Sequence, residues 1–296
     1  MKFLVTGAAG LIGRQVCKDL VESGEEVFAG YHNSRPEFGN PILMDLTDFD
    51  KLKDTVSNVK PDVILHLGAM TNVDLCEKEK ELAMKINAKA TDVLAKQAAK
   101  EDAFFVYVST DYVFDGQKGM RKEDDETNPV DYYGESKLAG ENAVRNLASS
   151  WCIARTSTPY GTHPSKTTFP IWVAQNLHDG KEINVIVDQF TSPTYVPNLS
   201  GMLIEISKRQ IVGIIHLAGA TRISRYETAE LVAEKLDLNK KLLKPVKIAD
   251  MKWIAKRPKD SSLDISKAVS ILKEKPFTIE NGLGNFLKSK ILSENK

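Results

Sequence analysis

Gly7, Gly10 and Gly13 recur at a spacing of three, directly after the apolar run Phe3 to Val5. The run reads as a buried parallel strand, and Leu11 to about Glu22 as an amphipathic helix. Each glycine answers a physical need. Gly7 permits a tight turn off the strand, Gly10 lets backbone N–H groups approach a pyrophosphate, and Gly13 lets the helix sit close on the sheet. The helix then turns its positive end towards the anion. Three glycines can also merely punctuate a strand–helix turn. Their place at the start of an alternating α/β pattern favours dinucleotide binding.

The pattern continues along the chain. Glu26 to Gly30, Pro41 to Met44, Pro61 to His66, Phe104 to Val108 and Trp151 to Arg155 read as strands. Glu79 to Lys100 reads as one long helix with Ala83, Ile86, Ala90, Val93, Leu94 and Ala98 on one face. Phe169 to Leu177 and Asn198 to Lys208 read as helices, with a strand at Ile183 to Val187. Gly213 to Leu217 reads as a strand that returns to the sheet. Ser224 opens a helix to Leu236, with Glu227 completing a capping box. Ser289 to Lys296 reads as a frayed, solvated end. The fold class is α/β, a Rossmann-type doubly wound parallel sheet with a smaller C-terminal substrate-binding lobe. Residues 1–160, with the returning strand near 212–218, are expected to form the dinucleotide-binding domain, and 161–296 mainly the lobe.

Lysine plus arginine total 40, as do aspartate plus glutamate, so the formal net charge is zero. That argues against nucleic acid or an anionic membrane as a partner, and leaves room for a local basic pocket. Cys17, Cys76 and Cys152 lack metal-ligand spacing and suit a reducing compartment, the cytoplasm. No apolar run is long enough to span a bilayer. Lys2 and the apolar stretch after it superficially resemble a signal peptide, but they contain the glycine spacing and lead into a charged helix. They read as mature structure.

An NAD-specific site usually places an acid near the end of the second strand, for the ribose 2′-OH. Here Tyr31, His32, Asn33, Ser34 and Arg35 follow, with no acid. Arg35 suits a 2′-phosphate, so NADP(H) is the preferred cofactor and NAD(H) the second choice. Arg35 also reads simply as a solvated loop residue. Asp45 is placed to accept from the adenine amino group, and Leu67, Gly68 and Ala69 leave bare backbone for the cofactor. His66 reads as a packed strand-end histidine rather than a catalyst. Asn87, beside the apolar stripe, reads either as a buried structural amide or as a solvated side chain.

Ser109, Thr110 and Asp111 end the fifth strand, where hydroxyls point into the ligand crevice; a helix cap or turn is the other reading. Tyr133 and Lys137 stand four apart on a predicted helix, hence on one face. A tyrosine with a pKa of about 10 is a sluggish acid at neutral pH, and a nearby ammonium pulls that value down. The Thr110 hydroxyl can share the same substrate oxygen. Tyr132 has Ser136 at the matching position and lacks the cation. Tyr-x-x-x-Lys alone is a weak signal; after a glycine loop and a Ser-Thr-Asp strand end it is strong.

These motifs resemble those of the extended short-chain dehydrogenases. Five stretches are more specifically similar to the dTDP-4-dehydrorhamnose reductase family. They are Ser109 to Gly116, Tyr133 to Glu141, Arg155-Thr156-Ser157, Asp188-Gln189 with Pro193-Thr194, and Arg257-Pro258 with Ser261 and Leu263-Asp264. The resemblance spans nearly the whole chain. It implies a reductase of a nucleotide-linked 4-keto-6-deoxy sugar, possible as a homodimer. Hydride would pass from the nicotinamide to the sugar carbonyl carbon. Tyr133 would give the proton, Lys137 would lower its pKa and hold the nicotinamide ribose, and Thr110 would bond the reacting oxygen. The resemblance places the cofactor against Gly7, Gly10, Leu11, Ile12, Gly13, Asn33, Arg35, Asp45, Leu46, Leu67, Gly68, Ala69, Asn87 and Ser109, beside Tyr133 and Lys137. It places the substrate against Asp111, Val113, Tyr160, Asp188, Gln189 and Arg257.

Three positions depart from the family pattern. Thr158 stands where a tryptophan is usual, and Thr191 where a glycine is usual in the Asp-Gln loop. Gln15 replaces a carboxylate that holds a dimer metal in some members, so no metal is expected. Two rivals are weighed. A sugar-nucleotide dehydratase of the same superfamily carries an Asp-Glu pair after the threonine; here Tyr112 follows Asp111. A sugar-nucleotide epimerase is a further, weaker member of that class. The regulatory subunit of methionine adenosyltransferase, which binds NADP as a partner protein, is also similar, over a Ser-Asp-Tyr-Val-Phe-Asp-Gly stretch and the Arg-Pro-containing tail.

Overall fold

The computed structural model describes residues 1–147 and 150–294. Its main sheet comprises β1 (Lys2–Thr6), β2 (Glu26–Tyr31), β3 (Asn40–Leu43), β4 (Val63–His66), β5 (Phe104–Thr110), β6 (Trp151–Thr156) and the strand Gly213–His216. The helices are α1 (Leu11–Glu22), α2 (Phe49–Val59), α3 (Val73–Lys78), α4 (Lys80–Met84), α5 (Ala90–Lys100), α6 (Tyr132–Arg145), α7 (Phe169–His178), α8 (Val196–Arg209), α9 (Arg225–Lys235), α10 (Ser266–Ile271) and α11 (Ile279–Glu294).

From one edge the seven strands run Gly213–His216, β6, β5, β4, β1, β2, β3. All the neighbouring pairs are parallel. The order reverses between β1 and β4, which opens a crevice at their C-terminal ends. Val5 is in register with Leu65, and Leu65 with Val106. Helices cover both faces, so the central strands are continuous apolar runs. Phe3, Val5, Leu65 and Val106 pack with Val16 and Leu20 of α1 and with Leu199, Met202 and Leu203 of α8. Leu4, Ile64, Phe105 and Tyr107 face Leu52 and Val56 of α2 and Leu94 and Ala98 of α5. Burial of each large apolar side chain contributes about 1.5–3 kcal/mol.

The returning strand and the α9 capping box form as the sequence predicts. Three elements differ. Helix α2 was not anticipated: Asp48 caps it by accepting from Lys51 N at 3.1 Å, and only Leu52, Val56 and Val59 are buried in a strongly polar segment. The single helix expected over 79–100 is α4, a π-helical turn at Lys85–Lys89, then α5. A π turn inserts a residue and rotates the flanking faces relative to each other; Asn87 lies at its centre. The tail is helical as far as Glu294; Asn295 and Lys296 lie outside the described residues.

A second core gathers Val173, Leu177, Ile183, Val185, Val232, Leu243, Leu283 and Phe286. It is framed by α7, α9, α11 and the parallel pair Ile183–Ile186 with Leu243–Val246. Helices α8 and α10, by contrast, pack on the main sheet.

Candidate functional site

The crevice begins at the glycine loop. Gly7 has φ +67°, and a Cβ there would stand 2.8 Å from Gly68 N. A Cβ on Gly13 would overlap Gly7 O. Thr6 Oγ1 accepts from Leu67 N at 3.1 Å and Gly68 N at 3.0 Å, tying the ends of β1 and β4 together. The first turn of α1 has, among the described residues, neither a side-chain cap nor an acid. Its first N–H groups are therefore open donors, the arrangement that suits an anion. His66 is a packed residue, as expected. It bonds Thr6 at 2.7 Å and Thr91 at 3.1 Å, and burial pushes its pKa down to about 3, so the ring is neutral.

Beyond β2, Asn33 and Arg35 are exposed. Asp45 Oδ1 accepts from Thr47 N and Thr47 Oγ1, each at 2.8 Å, and those bonds hold the carboxyl below its usual range. Leu46 lies 3.0 Å from where a Gly68 Cβ would stand. Arg14, which the sequence reading passed over, pairs with Glu37 at 2.8 Å from the first turn of α1.

The chemistry gathers between β5 and α6. Asp131 caps α6, its Oδ1 accepting from Gly134 N at 2.8 Å. Glycine at 134 lets the helix press against Tyr112 O. Tyr133 meets the Tyr112 ring edge-on at 5.8 Å, and the Thr110 hydroxyl beside it favours the ionised phenol. Thr110 Oγ1 donates to Asp111 Oδ1 at 3.0 Å and accepts from Tyr112 N at 3.2 Å. Asp111 is 2 % exposed, and its Oδ2 accepts from Ser157 Oγ at 2.7 Å. Burial raises its pKa, partly offset by the surrounding hydroxyls.

Lys137 Nζ donates to Val108 O at 2.8 Å. Burial pushes its pKa down to about 7, against a smaller opposing pull from Glu141. Burial raises the Tyr133 phenol well above its ordinary value, with the nearby Thr110 hydroxyl opposing. Burial thus opposes the expected lowering of that phenol by Lys137. The buried site disfavours the phenolate, and the lysine's bond goes to the β5 carbonyl.

Asn87 is a buried amide. It accepts from Met70 N at 2.8 Å and donates to Met70 O at 3.0 Å and Ser136 Oγ at 2.9 Å. Ser109 Oγ donates to Glu141 Oε1 at 2.7 Å. Glu141 and Arg155 form a fully buried pair at 2.8 Å, which links β5, α6 and β6. Ser109 therefore faces this pair.

A cavity of 380 Å³ lies beside Tyr112, lined also by Val73, Trp172, Arg225, Trp253 and Arg257. Arg257 donates to Asp74 at 2.9 Å and lies 5.1 Å over the Trp253 ring. Arg225 donates to Gln189 Oε1 at 2.7 Å and lies 5.3 Å over Phe169. The sequence reading missed Arg225, Trp172 and Trp253, which come from separate segments with no shared spacing. A larger cavity of 620 Å³, among Ile171, Leu236 and Phe286, contains none of the motif residues.

Two expected substrate residues are corrected. Val113 is fully buried among Phe114, Ala218 and Leu263. Tyr160 is 2 % exposed, held between Tyr195 and Phe286 at ring distances of 5.7 and 6.1 Å. Both lie in apolar cores rather than in the crevice. Gln189 is buried and braces Arg225, while also donating to Pro258 O at 3.3 Å. Asp188 Oδ1 accepts from Ile248 N at 2.7 Å. Among the departures, Thr158 has φ +40°, and Thr191 is buried in a short pairing with Ile223. Gln15 donates to Asp19 at 2.7 Å. Among the described residues, no cluster of histidine, cysteine or carboxylate side chains is arranged to hold a metal. No helix there is long and apolar enough to cross a membrane.

A glycine loop under a topological reversal, with Thr110, Tyr133 and Lys137 at its far end, defines an extended short-chain dehydrogenase/reductase. The family model described as the RmlD substrate binding domain matches residues 1–291, and the chain belongs to that family. A solved structure of a hypothetical dTDP-4-dehydrorhamnose reductase from Sulfolobus tokodaii is 40% identical, with a TM-score of 0.86, covering 95% of this chain and 99% of that one. The dTDP-4-dehydrorhamnose reductase of Bacillus anthracis, solved in complex with NADP, is 30% identical with a TM-score of 0.86, covering 98% and 100%. Methionine adenosyltransferase 2 subunit beta of Xenopus tropicalis is 33% identical over 286 residues, covering 93% and 84%.

Proposed function

We propose that this protein reduces the keto group of a nucleotide-linked 4-keto-6-deoxy sugar. It is an NAD(P)H-dependent oxidoreductase of the dTDP-4-dehydrorhamnose reductase type, with NADP(H) preferred and NAD(H) possible. The observation that carries this reading is Tyr133 beside the Thr110 strand end, with Lys137 one turn further along α6.

The glycine cradle fits a dinucleotide: Cβ atoms at Gly7 and Gly13 would fill it. Gly10, Leu11, Ile12 and Gly13 meet the diphosphate, Asp45 and Leu46 the adenine end, and Leu67, Gly68 and Ala69 the middle. Arg35, beside Asn33, faces the 2′-phosphate. Bound there, the dihydronicotinamide supplies the hydride. Tyr133 donates the proton to the carbonyl oxygen as it gains charge, and the Thr110 hydroxyl, turning from Asp111, donates to the same oxygen. Lys137, one turn along α6 from Tyr133, supplies a donor to the ribose. Asn87 and Ser109 act behind these groups, through Ser136 and Glu141 respectively.

The nucleotide sugar occupies the cavity, with Arg257 and Arg225 facing its phosphates and Trp172 or Trp253 stacking on the base. In this division, residues 1–160 with the returning strand bind the cofactor, and the remainder mainly the sugar. A cytoplasmic homodimer is the proposed setting, with no nucleic-acid partner.

The test is a screen of nucleotide-linked 4-keto sugars with NADPH and NADH, following loss of reduced-cofactor absorbance. Turnover of such a sugar supports the reading. Its absence, together with capture of a methionine adenosyltransferase catalytic chain in a pull-down, would favour the regulatory-subunit reading instead.

A further inference from the structure

We infer that Lys166 is a ligand of the cofactor diphosphate, delivered across the crevice by the segment that leads into the substrate lobe. The inference rests on the reading that the glycine loop cradles that diphosphate.

Residues 161–168 run back over the glycine loop before α7 begins. Ser165 N donates to His163 Nδ1 at 3.2 Å. Nδ1 is therefore the acceptor nitrogen, and Nε2 carries the hydrogen donated to Ala9 O at 3.0 Å. Thr168 Oγ1 donates to Gly161 O at 3.2 Å and closes the base of the segment. The segment is thus pinned to the glycine loop at one point and to itself at another.

That anchoring puts Lys166 Nζ 4.0 Å from where a Cβ on Gly10 would stand. Gly10 is the N-cap of α1, whose first turn offers open N–H groups. These donors are neutral, whereas a diphosphate is anionic. Arg14, the basic residue of that turn, is engaged by Glu37. Lys166 has no carboxylate partner among the described residues. An unpaired ammonium and an uncapped helix end therefore converge on one spot, and an anionic ligand satisfies both.

The consequence differs from that of Arg35. A 2′-phosphate distinguishes NADPH from NADH, whereas the diphosphate is common to both. The same segment leads to Phe169 and Trp172, which line the cavity. Cofactor binding therefore fastens part of the cavity wall.

The experiment is calorimetry of NADPH, NADH and ADP with the parent protein, Lys166→Ala and Lys166→Arg. Hydrogen exchange is measured alongside, with and without NADPH. Lys166→Ala should weaken all three ligands by a similar factor, about ten-fold, the scale of one charge-assisted hydrogen bond at an exposed site. Lys166→Arg should restore most of the loss. In the parent, NADPH should protect the amides of residues 8–13 and 162–168, and in Lys166→Ala only the former. If 8–13 are not protected in the parent, the glycine-loop reading fails and the lysine inference with it. If they are protected but Lys166→Ala binds both cofactors as the parent does, or loses affinity for NADPH alone, only the lysine inference fails.

Discussion

Lys137 Nζ bonds the Val108 carbonyl at 2.8 Å and stands 4.0 Å from the centre of the Tyr107 ring. The strand and an aromatic face hold the amine, and burial lowers its pKa from 10.5 to about 7. Between those values the unfolded chain binds the proton more tightly than the folded one, so this group makes stability rise with pH across that window. Lys137→Met should gain most over the parent near pH 6, and the gain should shrink as pH approaches 10. Urea unfolding of the cofactor-free proteins at several pH values checks this. A difference that does not change with pH would show that the amine is not buried as described.

Asp131 gives the complementary case. Its Oδ1 caps α6, while its Oδ2 has no hydrogen-bond partner among the described residues. Burial raises the carboxyl to about 6. The folded state therefore holds the proton more strongly between pH 3.8 and about 6, and ionisation destabilises the fold as pH rises through that window. Asp131→Asn keeps the capping oxygen and removes the charge. At pH 8 it should be more stable than the parent by on the order of 2 kcal/mol, with the advantage gone by pH 4. Thermal unfolding at the two pH values measures it.

On the proposed reading, cofactor choice rests on the exposed loop after β2. Arg35→Ala should weaken NADPH by roughly ten-fold and leave NADH unchanged. Asn33→Asp should reverse the preference by repelling the 2′-phosphate. Equal losses for the two cofactors in Arg35→Ala would make Arg35 a general surface charge.

Gln15 is bonded to Asp19, and Asp19 accepts from Ser200 Oγ at 2.6 Å, which joins α1 to α8. A neutral amide cannot supply an anionic metal ligand. Activity should survive a chelator undiminished. Loss of turnover that magnesium restores would contradict this.

The sheet was legible because its strands are continuous apolar runs, and the glycine loop because close backbone approach admits only glycine. Tyr133, Lys137 and Thr110 were legible because helical spacing and a strand end put them in one crevice. Helix α2 was hidden because few of its residues are apolar. The π turn at Asn87 was hidden because periodicity assumes a uniform helix. Tyr160 and Val113 looked like site residues from their motif neighbours, yet both face inward into apolar cores. Arg225, Trp172 and Trp253 meet only through tertiary packing, which no local spacing records. The raised phenol pKa depends on burial, another tertiary property.

The most direct measurement is the single-turnover rate of NADPH oxidation with a nucleotide-linked 4-keto-6-deoxy sugar, for the parent and for Tyr133→Phe. The variant keeps the ring and its packing against Tyr112 but removes the proposed proton donor. The predicted result is a fall of roughly 10²-fold or more, with NADPH affinity nearly unchanged and Tyr132→Phe retaining most activity. Turnover by Tyr133→Phe at the parent rate would contradict the account.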